Sequence, residues 1–522
     1  MPASVLTCLE GACDGHPLFP NMVHLKLDMA VDANLVLFPM VFSPSLRHVE
    51  INFFAENSKR NQHTLASMAS AVADTVFRSL PSYVPELSTL RAAGTLNDWP
   101  NIPPVILSIN SFERFGRLRE VEVMYGGIVL NYETLQSLSM LATLRVLEAE
   151  ISLGDATGQL QFNGGFCKLR NIELGGTRQD LVRFFAATSL GHLKQLSLHI
   201  QDTPTEDSIR DALERICTKI SRSLREAHLF ITDEVIRRDP PLSASDILCP
   251  LLSFRALKEL SVEFSHHIPH FAEGDVTAFT SAWTELNYFY LDVYHRTFNI
   301  NEGAPGLPTV FTLIEFARRC RSLIILSLFA LDVSRLPLPD TVPTLAQRAL
   351  QHLYPRLVGG TKANLLHLAM IIDKLFPNVN APSFNTVQTL RPEAFAQGAQ
   401  DRREADDDED PEMRDEAERW AWRITTTLVS AVQQGRRSGS GVLEAPSDTE
   451  DDLEVSSRSI FPQPCLSHID DWRCSRPERL KHRFSFWGLA ALKTQAAPPI
   501  GVVSSCFRYP TWSAVHVYEF LS

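Results

Sequence analysis

Apolar residues recur along this chain in a fixed pattern that predicts short strands. The pattern is Leu-x-x-φ-x-φ, in which φ is an apolar residue, and eleven copies of it occur between residues 22 and 328. Their first residues are Met22, Leu46, Leu87, Leu118, Leu144, Leu169, Leu193, Leu224, Leu257, Leu286 and Leu323. Four of the steps between them are 24 to 26 residues long. A pattern that repeats at this period is typical of a solenoid in which each repeat supplies one strand.

The segments between the strand patterns predict helices. Apolar residues share one helical face in three of them: Leu65, Met68, Val72, Val76 and Leu80; Ile209, Leu213, Ile216 and Ile220; Val310, Leu313, Ala317 and Cys320. The second helix is expected to begin with a capping box of Thr203 and Glu206. Strands that alternate with helices give a parallel sheet inside and helices outside. The predicted fold is an α/β leucine-rich-repeat solenoid with disordered acidic segments near the C-terminus.

The repeat pattern ends near residue 378, and this divides the chain. We expect the solenoid to span 1–380 and a second region to span 381–437. The second region holds an acidic loop, with ten Asp or Glu between Glu404 and Glu418, and then a helix at about 411–434. This helix is expected to cap the array through Trp420, Ile424, Leu428 and Val432. Residues 438–459 predict a disordered linker, and the sequence assigns no fold to the tail 460–522.

Composition and charge narrow the class of protein. With 44% apolar residues the chain can bury a continuous core, and its net charge of −12 argues against nucleic-acid or anionic-membrane binding. No apolar stretch is long enough to span a membrane, and the N-terminal residues lack the features of a secretory signal. The nine cysteines include no C-x-x-C pair and predict free thiols in a reducing compartment. We therefore expect a cytoplasmic or nuclear protein.

The sequence carries no pattern typical of catalysis. Neither G-x-S-x-G nor H-E-x-x-H occurs, and no nucleophile lies beside an identifiable base. His266, His267 and His270 are expected in a surface loop, because Cys or acidic ligands at matching spacing are missing. The expectation is a protein that is not an enzyme and uses no cofactor or metal.

The positions between the apolar ones should face the concave side of the sheet, and they are acidic. Eleven of these 33 positions are Asp or Glu, and Lys26 and Arg91 are the only Lys or Arg. The candidate protein-binding residues on this face are Glu120, Glu122, Glu148, Glu150, Glu173, Glu226, Glu259, Glu263, Tyr288 and Tyr290. Phe230 and Phe329 are further aromatic candidates. Together they predict a groove for a protein partner, and a basic one, because an acidic field attracts positive charge.

A second column of charge leaves an alternative open. Arg47, Arg119, Arg145, Arg170, Lys194, Arg225 and Lys258 each follow the first residue of a pattern. This column could pair with the acids as a ladder of exposed ion pairs, each worth about 0–1 kcal/mol. The acidic face would then be structural and would not mark a binding groove.

Phrases around the repeats carry a family resemblance. Segments 17–25, 43–49, 80–87 and 375–378 resemble the irregular leucine-rich region of fungal F-box proteins, and the likeness extends over roughly residues 15–437. The resemblance implies the substrate-receptor part of an SCF-type ubiquitin ligase, which binds a Skp1-type adaptor through an N-terminal F-box. Only about fifteen residues precede the first repeat, so adaptor binding would require an F-box upstream of this chain. The alternative is a standalone leucine-rich-repeat scaffold, or a truncated product, with no ligase link.

Overall fold

A computed structural model of the chain describes most of the repeat region and one segment beyond it. The described residues are 13, 16–379 and 424–436, with gaps at 31–37, 55–61, 95–103, 108, 124–126, 155–159, 163–164, 203, 233–234, 236–241, 266–269, 272, 294–305 and 359–361. The acidic loop, the linker 438–459 and the tail 460–522 lie outside the described residues.

Each of the eleven strand patterns coincides with a β-strand of one long parallel sheet. The strands are β1 His24–Ala30, β2 His48–Phe54, β3 Thr89–Gly94, β4 Val105–Leu107, β5 Glu120–Val123, β6 Ile128–Leu130, β7 Val146–Ile151, β8 Asn171–Gly176, β9 Gln195–Ile200, β10 Glu226–Ile231, β11 Glu259–Phe264, β12 Tyr288–Val293, β13 Ile325–Asp332 and β14 His352–Val358. Apart from β4 and β6, they lie side by side in chain order. Sequential neighbours that all run parallel are the arrangement of a solenoid, so the predicted leucine-rich-repeat fold is confirmed.

Helices and short 3₁₀ turns connect the strands, and in the described part of the chain two further helices follow the last strand. The α-helices are α1 Phe38–Val41, α2 Gln62–Tyr83, α3 Tyr132–Ser139, α4 Arg178–Ala186, α5 Glu206–Cys217, α6 Ala244–Leu248, α7 Glu273–Ala282, α8 Val310–Arg319, α9 Lys362–Leu375 and α10 424–436. The 3₁₀ turns are Phe112–Arg114, Cys249–Ser253 and Pro339–Thr341. The three apolar faces predicted from the sequence belong to α2, α5 and α8.

The core lies between the strands and these helices. In β7 and β11 buried and half-buried residues alternate along the strand, because successive side chains of a strand point to opposite faces. Leu147, Leu196 and Leu260 at the second apolar position are completely buried. The first residue of the pattern, such as Leu144, is buried in the turn before the strand. Each repeat thus contributes its three apolar side chains to one continuous core.

Three strands were missed in the sequence. The segment from Leu350 to Pro355 repeats the spacing but has a proline at the third apolar position, and it forms the last strand, β14. Proline is tolerated there because β14 lies at the end of the sheet and pairs only with β13. Strands β4 and β6 have three residues each and pair with each other, and β6 also pairs with β7. Strands this short carry too little periodicity to be predicted.

The start of α5 differs from the prediction. Thr205, not Thr203, is the N-cap, and its reciprocal capping partner is Ser208. Glu206 is the first helical residue and is completely buried. Its Oε2 accepts a hydrogen bond of 2.7 Å from the Leu242 N–H of the next repeat. The carboxylate therefore connects two repeats and does not cap its own helix, and Thr203 lies outside the described residues.

Helix α10 lies against the end of the array. Arg436 makes an ion pair of 3.1 Å with Asp373 of α9, and Gln433 Nε2 donates to the Val379 carbonyl at 3.3 Å. Thr425 and Val429 are buried, whereas Ile424 and Leu428 are only half-buried. The face that packs on α9 is therefore rotated by one residue from the predicted one. Trp420 lies outside the described residues.

Candidate functional site

The parallel register brings the concave positions of successive repeats into rows. The middle row contains Lys26, Glu50, Arg91, Glu122, Glu148, Glu173, Ser197, His228, Ser261, Tyr290, Ser327 and Tyr354. Glu122 lies directly beside Glu148, and Glu148 lies beside Glu173. Neighbouring strands are about 4.8 Å apart, so these three carboxylates share a strip of about 10 Å. We call this run the acidic row.

Two cations lie in the middle row at the end formed by the first repeats of the chain. Lys26 Nζ is 2.5 Å from Glu50 Oε1, and Arg91 Nε is 2.8 Å from Glu122 Oε2. Burial raises the pKa of Glu122, Arg91 acts in the opposite direction, and Glu120 and Glu173 raise it further. Burial is therefore the main cause of the raised pKa of Glu122, and the attraction of Arg91 is larger than the repulsion from either Glu120 or Glu173.

A cluster of polar groups surrounds Glu173 in the middle of the sheet. Glu173 is 9% exposed, and its Oε1 lies 3.3 Å from His199 Nε2. The His199 ring stacks on Phe230 with 4.5 Å between the ring centroids. These contacts hold the carboxylate of Glu173 in one place at the end of the acidic row.

Glu150 belongs to the same cluster. Its side chain crosses over Gly175, where a Cβ atom would be 3.1 Å from both Glu150 Cγ and Gln201 Nε2. Burial raises the pKa of Glu150, while the Gln201 side chain and His199 favour its charged form. The sequence did not single out Gly175, His199 or Gln201. The signal that could have found them is the register, which places Gly175 between Glu150 and His199.

The remaining candidate residues lie in three places on the same face. Glu120 accepts a hydrogen bond of 3.3 Å from Thr89 Oγ1 on the neighbouring strand. Glu226 lies directly beside Glu259, whose Oε1 is 3.8 Å from His228 Nε2. Glu120 lies on β5, the strand of Glu122, and Glu226 and Glu259 lie on β10 and β11, all three at the N-terminal ends of their strands.

Aromatic residues follow toward the C-terminal end of the sheet. Tyr288 lies beside Glu259, and Glu263 lies beside Asp292, which accepts a hydrogen bond of 2.7 Å from the Tyr290 hydroxyl. The predicted aromatic candidate Phe329 is 4% exposed, lies next to a bulge in β13 and packs with the hydrophobic core, so it offers no exposed ring to a partner. The acidic row and the two tyrosines are therefore separated by Ser197, His228 and Ser261.

The basic column does not form the ion-pair ladder with the acids. Arg47 reaches Glu86 at 3.9 Å, but none of Arg119, Arg145, Arg170, Lys194, Arg225 and Lys258 forms an ion pair with another described residue. Each basic residue lies in the turn before its strand, one position ahead of the first residue of that strand, and its side chain is exposed or half-exposed there. The acids and the column are two separate surfaces.

The described residues contain no arrangement typical of metal binding or nucleophilic chemistry. No three His, Cys, Asp or Glu side chains in this part of the chain group as metal ligands would. His270 is described, but His266 and His267 lie outside the described residues. Burial raises the pKa of the Cys217 and Cys320 thiols to about 12, which keeps both protonated at neutral pH. These two thiols are part of the packing.

The similarity of this chain to known proteins is low. No family model matches the sequence, and no curated protein matches it. Among solved structures, an internalin from Listeria monocytogenes aligns with 12% identity over 66% of this chain and 85% of its own, with a TM-score of 0.30. The mouse RP105/MD-1 complex aligns with 13% identity over 64% of this chain and 74% of its own, with a TM-score of 0.16. The fold assignment rests on the repeats and the sheet of this chain itself.

Among the described residues, no helix combines the length and the apolar character needed to cross a lipid bilayer.

Proposed function

We propose that this chain is a protein-recognition module whose concave face binds a basic segment of a partner protein. The observation that carries the proposal is the acidic row, in which Glu122, Glu148 and Glu173 occupy adjacent positions on three strands. Like charges directly opposed on neighbouring strands destabilise a sheet by about 0.2–1 kcal/mol per pair. Glu122 pairs with Arg91 and Glu173 contacts His199, and the three carboxylates together concentrate negative charge that a basic segment of a partner would complement.

The geometry supports an extended partner. The acidic row continues diagonally into Glu120 at one side and Glu150 at the other, which gives a surface wider than a single strand. Tyr288 and Tyr290 offer half-buried aromatic rings farther along the same face. Tyrosine is enriched among residues that dominate binding energy, because one side chain combines a large apolar area with a polar tip. A segment that crosses the strands could contact both regions.

The test is the affinity for a basic peptide. A fluorescein-labelled peptide of five Lys-Ser repeats is titrated with the full chain, and binding is followed by fluorescence anisotropy. Changing Glu122→Gln, Glu148→Gln and Glu173→Gln together should weaken binding about tenfold and flatten its dependence on salt, since three attractive charges are lost. The matched control changes three exposed acids of the helices and turns, Glu214→Gln, Glu273→Gln and Glu285→Gln.

The control separates local recognition from net charge. Both variants raise the net charge by the same amount, so only a local site distinguishes them. If the two variants weaken binding equally, or if the unchanged protein does not bind the peptide, the proposal is wrong. A change in stability with no change in binding would instead support the standalone scaffold.

The finer form of the proposal is a substrate receptor of an F-box type ubiquitin ligase. Its support is the resemblance of the repeat phrases to fungal F-box proteins, which covers roughly residues 15–437. This form predicts that the protein isolated from its native source with a C-terminal tag co-elutes with a Skp1-type adaptor. Peptide binding without an adaptor would refute the ligase link and leave the recognition module intact.

A further inference from the structure

A continuous row of basic residues lines the edge of the sheet at which the strands begin. Its members are Arg119, Arg145, Arg170, Lys194, Arg225 and Lys258, one from each of six consecutive repeats. Backbone hydrogen bonds of 2.7–2.8 Å run from the N–H of each of the last five to the carbonyl of the one before. The sheet therefore fixes the six residues in line. We call this row the basic edge.

The basic edge faces solvent. Five of its side chains are exposed and that of Lys258 is half-exposed. None of the six forms an ion pair within the described part of the chain. By contrast, the neighbouring Arg117 and Arg47 both reach Glu86, at 2.8 and 3.9 Å.

The turns that precede five of these strands add to the positive charge of the basic edge. Segments 140–145, 165–170, 188–194, 218–225 and 252–258 contain nine Lys or Arg and no Asp or Glu. Lys168, Lys219 and Arg222 in these turns are also exposed. The concave positions next to Arg145, Arg170 and Lys194 are the uncharged Val146, Asn171 and Gln195. In a chain with a net charge of −12, this edge is a local concentration of positive charge.

The dimensions of the basic edge match an extended polypeptide. Strands in a sheet are about 4.8 Å apart, so the six residues span about 24 Å. An extended chain rises about 3.3 Å per residue and covers this distance with seven or eight residues. Single-stranded nucleic acid is normally held by exposed aromatic side chains on which bases stack. The large exposed apolar side chains of the described residues include only Met140 in these turns, and it is not aromatic.

We propose that the basic edge binds an extended acidic segment of a partner protein. Charge complementarity selects the partner, because Asp and Glu side chains along an extended segment can each meet a guanidinium or ammonium group that has no other counter-charge. The site is separate from the acidic row and does not depend on the function proposed for the concave face. One partner with both acidic and basic segments could contact the two surfaces together.

The experiment uses a fluorescein-labelled peptide of ten glutamates and the full chain. Binding is followed by anisotropy at low and near-physiological salt. The variant changes the middle of the basic edge, with Arg145→Gln, Arg170→Gln and Lys194→Gln. The control changes three exposed arginines elsewhere, Arg78→Gln on α2, Arg215→Gln on α5 and Arg335→Gln after β13. The two variants have equal net charge, and circular dichroism checks that both fold.

The edge variant should bind the glutamate peptide about tenfold more weakly than the unchanged protein. The control variant should bind it with an affinity within about twofold of the unchanged protein. The affinity of the unchanged protein should fall as the salt concentration rises. Equal affinities of the two variants, or no binding by the unchanged protein at low salt, would overturn the proposal. A labelled oligothymidylate of twenty nucleotides is measured in parallel. If it binds through the same residues while the glutamate peptide does not, the basic edge is a nucleic-acid surface and the proposal fails.

Discussion

One buried glutamine holds the last repeat to the one before it, and its removal tests how the array ends. Gln347 is 5% exposed and precedes β14. Its Nε2 lies 3.3, 3.2 and 3.0 Å from the carbonyl oxygens of Cys320, Arg321 and Leu323. Its Oε1 accepts a hydrogen bond of 2.8 Å from the Leu350 N–H. The amide therefore joins the turn before β13 to the start of β14.

The magnitude follows from counting the bonds that can form at once. The amide nitrogen has two hydrogens, so the three carbonyl contacts amount to two bonds, and the oxygen adds a third. At about 1 kcal/mol for each buried hydrogen bond, Gln347→Leu should lower the free energy of unfolding by about 3 kcal/mol. Leucine nearly conserves the volume, so a cavity contributes little to this value.

The assay combines urea unfolding with hydrogen exchange. Repeats contact only their neighbours, so the loss should be concentrated in β13, β14 and α9, whose amides should exchange faster while those of β7 to β9 do not. Gln351→Leu is the control, because this nearby glutamine is exposed. If Gln347→Leu is as stable as Gln351→Leu within about 0.5 kcal/mol, the amide does not hold the repeats together and the reasoning is wrong.

Two further predictions concern the middle of the sheet. Burial raises the pKa of Glu150, so the folded state binds this proton more tightly than the unfolded state, and the charged side chain opposes folding above the folded-state pKa. Glu150→Gln should therefore stabilise the protein at pH 7, and this gain in stability should vanish as the pH falls below the ordinary pKa value of 4.5. The measurement is urea unfolding at pH 7 and pH 4, with Glu214→Gln as the control. A loss of stability at pH 7, or a gain that persists at pH 4, would contradict the prediction. Gly176 has a φ of +154°, and a Cβ atom there would lie 2.7 Å from the Ile151 carbonyl oxygen. Gly176→Ala should lower the free energy of unfolding by about 1–3 kcal/mol. Gly116→Ala should have little effect, because a Cβ atom at residue 116 meets no other atom within 4 Å. Equal urea midpoints for the two variants would refute the steric argument.

The register of the strands could be predicted from the sequence because it depends on local chemistry. In a repeat such as Leu144 to Ala149, Leu147 and Ala149 are two residues apart and share one face of the strand, while Leu144 reaches the same core from the turn before it. The pattern Leu350 to Pro355 shows the limit of that reasoning. Proline at the third apolar position excludes most strands, and only the position of β14 at the end of the sheet makes it acceptable.

The sequence predicted the contacts of charged residues less completely than it predicted the apolar core. The acidic character of the concave face follows from the residues between the apolar positions of the pattern, so the sequence alone predicts it. The sequence alone does not predict the partners of the individual acids. Arg91 and Glu122, for example, are 31 residues apart and meet only when two repeats stack in register. His199, Gln201 and Gly175 entered the candidate site for the same reason.

The sequence by itself therefore determined the repeats, the strands that they form, the apolar core and the acidity of one face, since each follows from the alternation of side chains within a few residues. Only the tertiary structure decided which charges neutralise one another. The basic residues of the basic edge lie in the turns, one position before the concave residues, and none of them forms an ion pair with another described residue. Stacking then aligns them across six repeats, and the same residues that could have formed an ion-pair ladder form a separate surface.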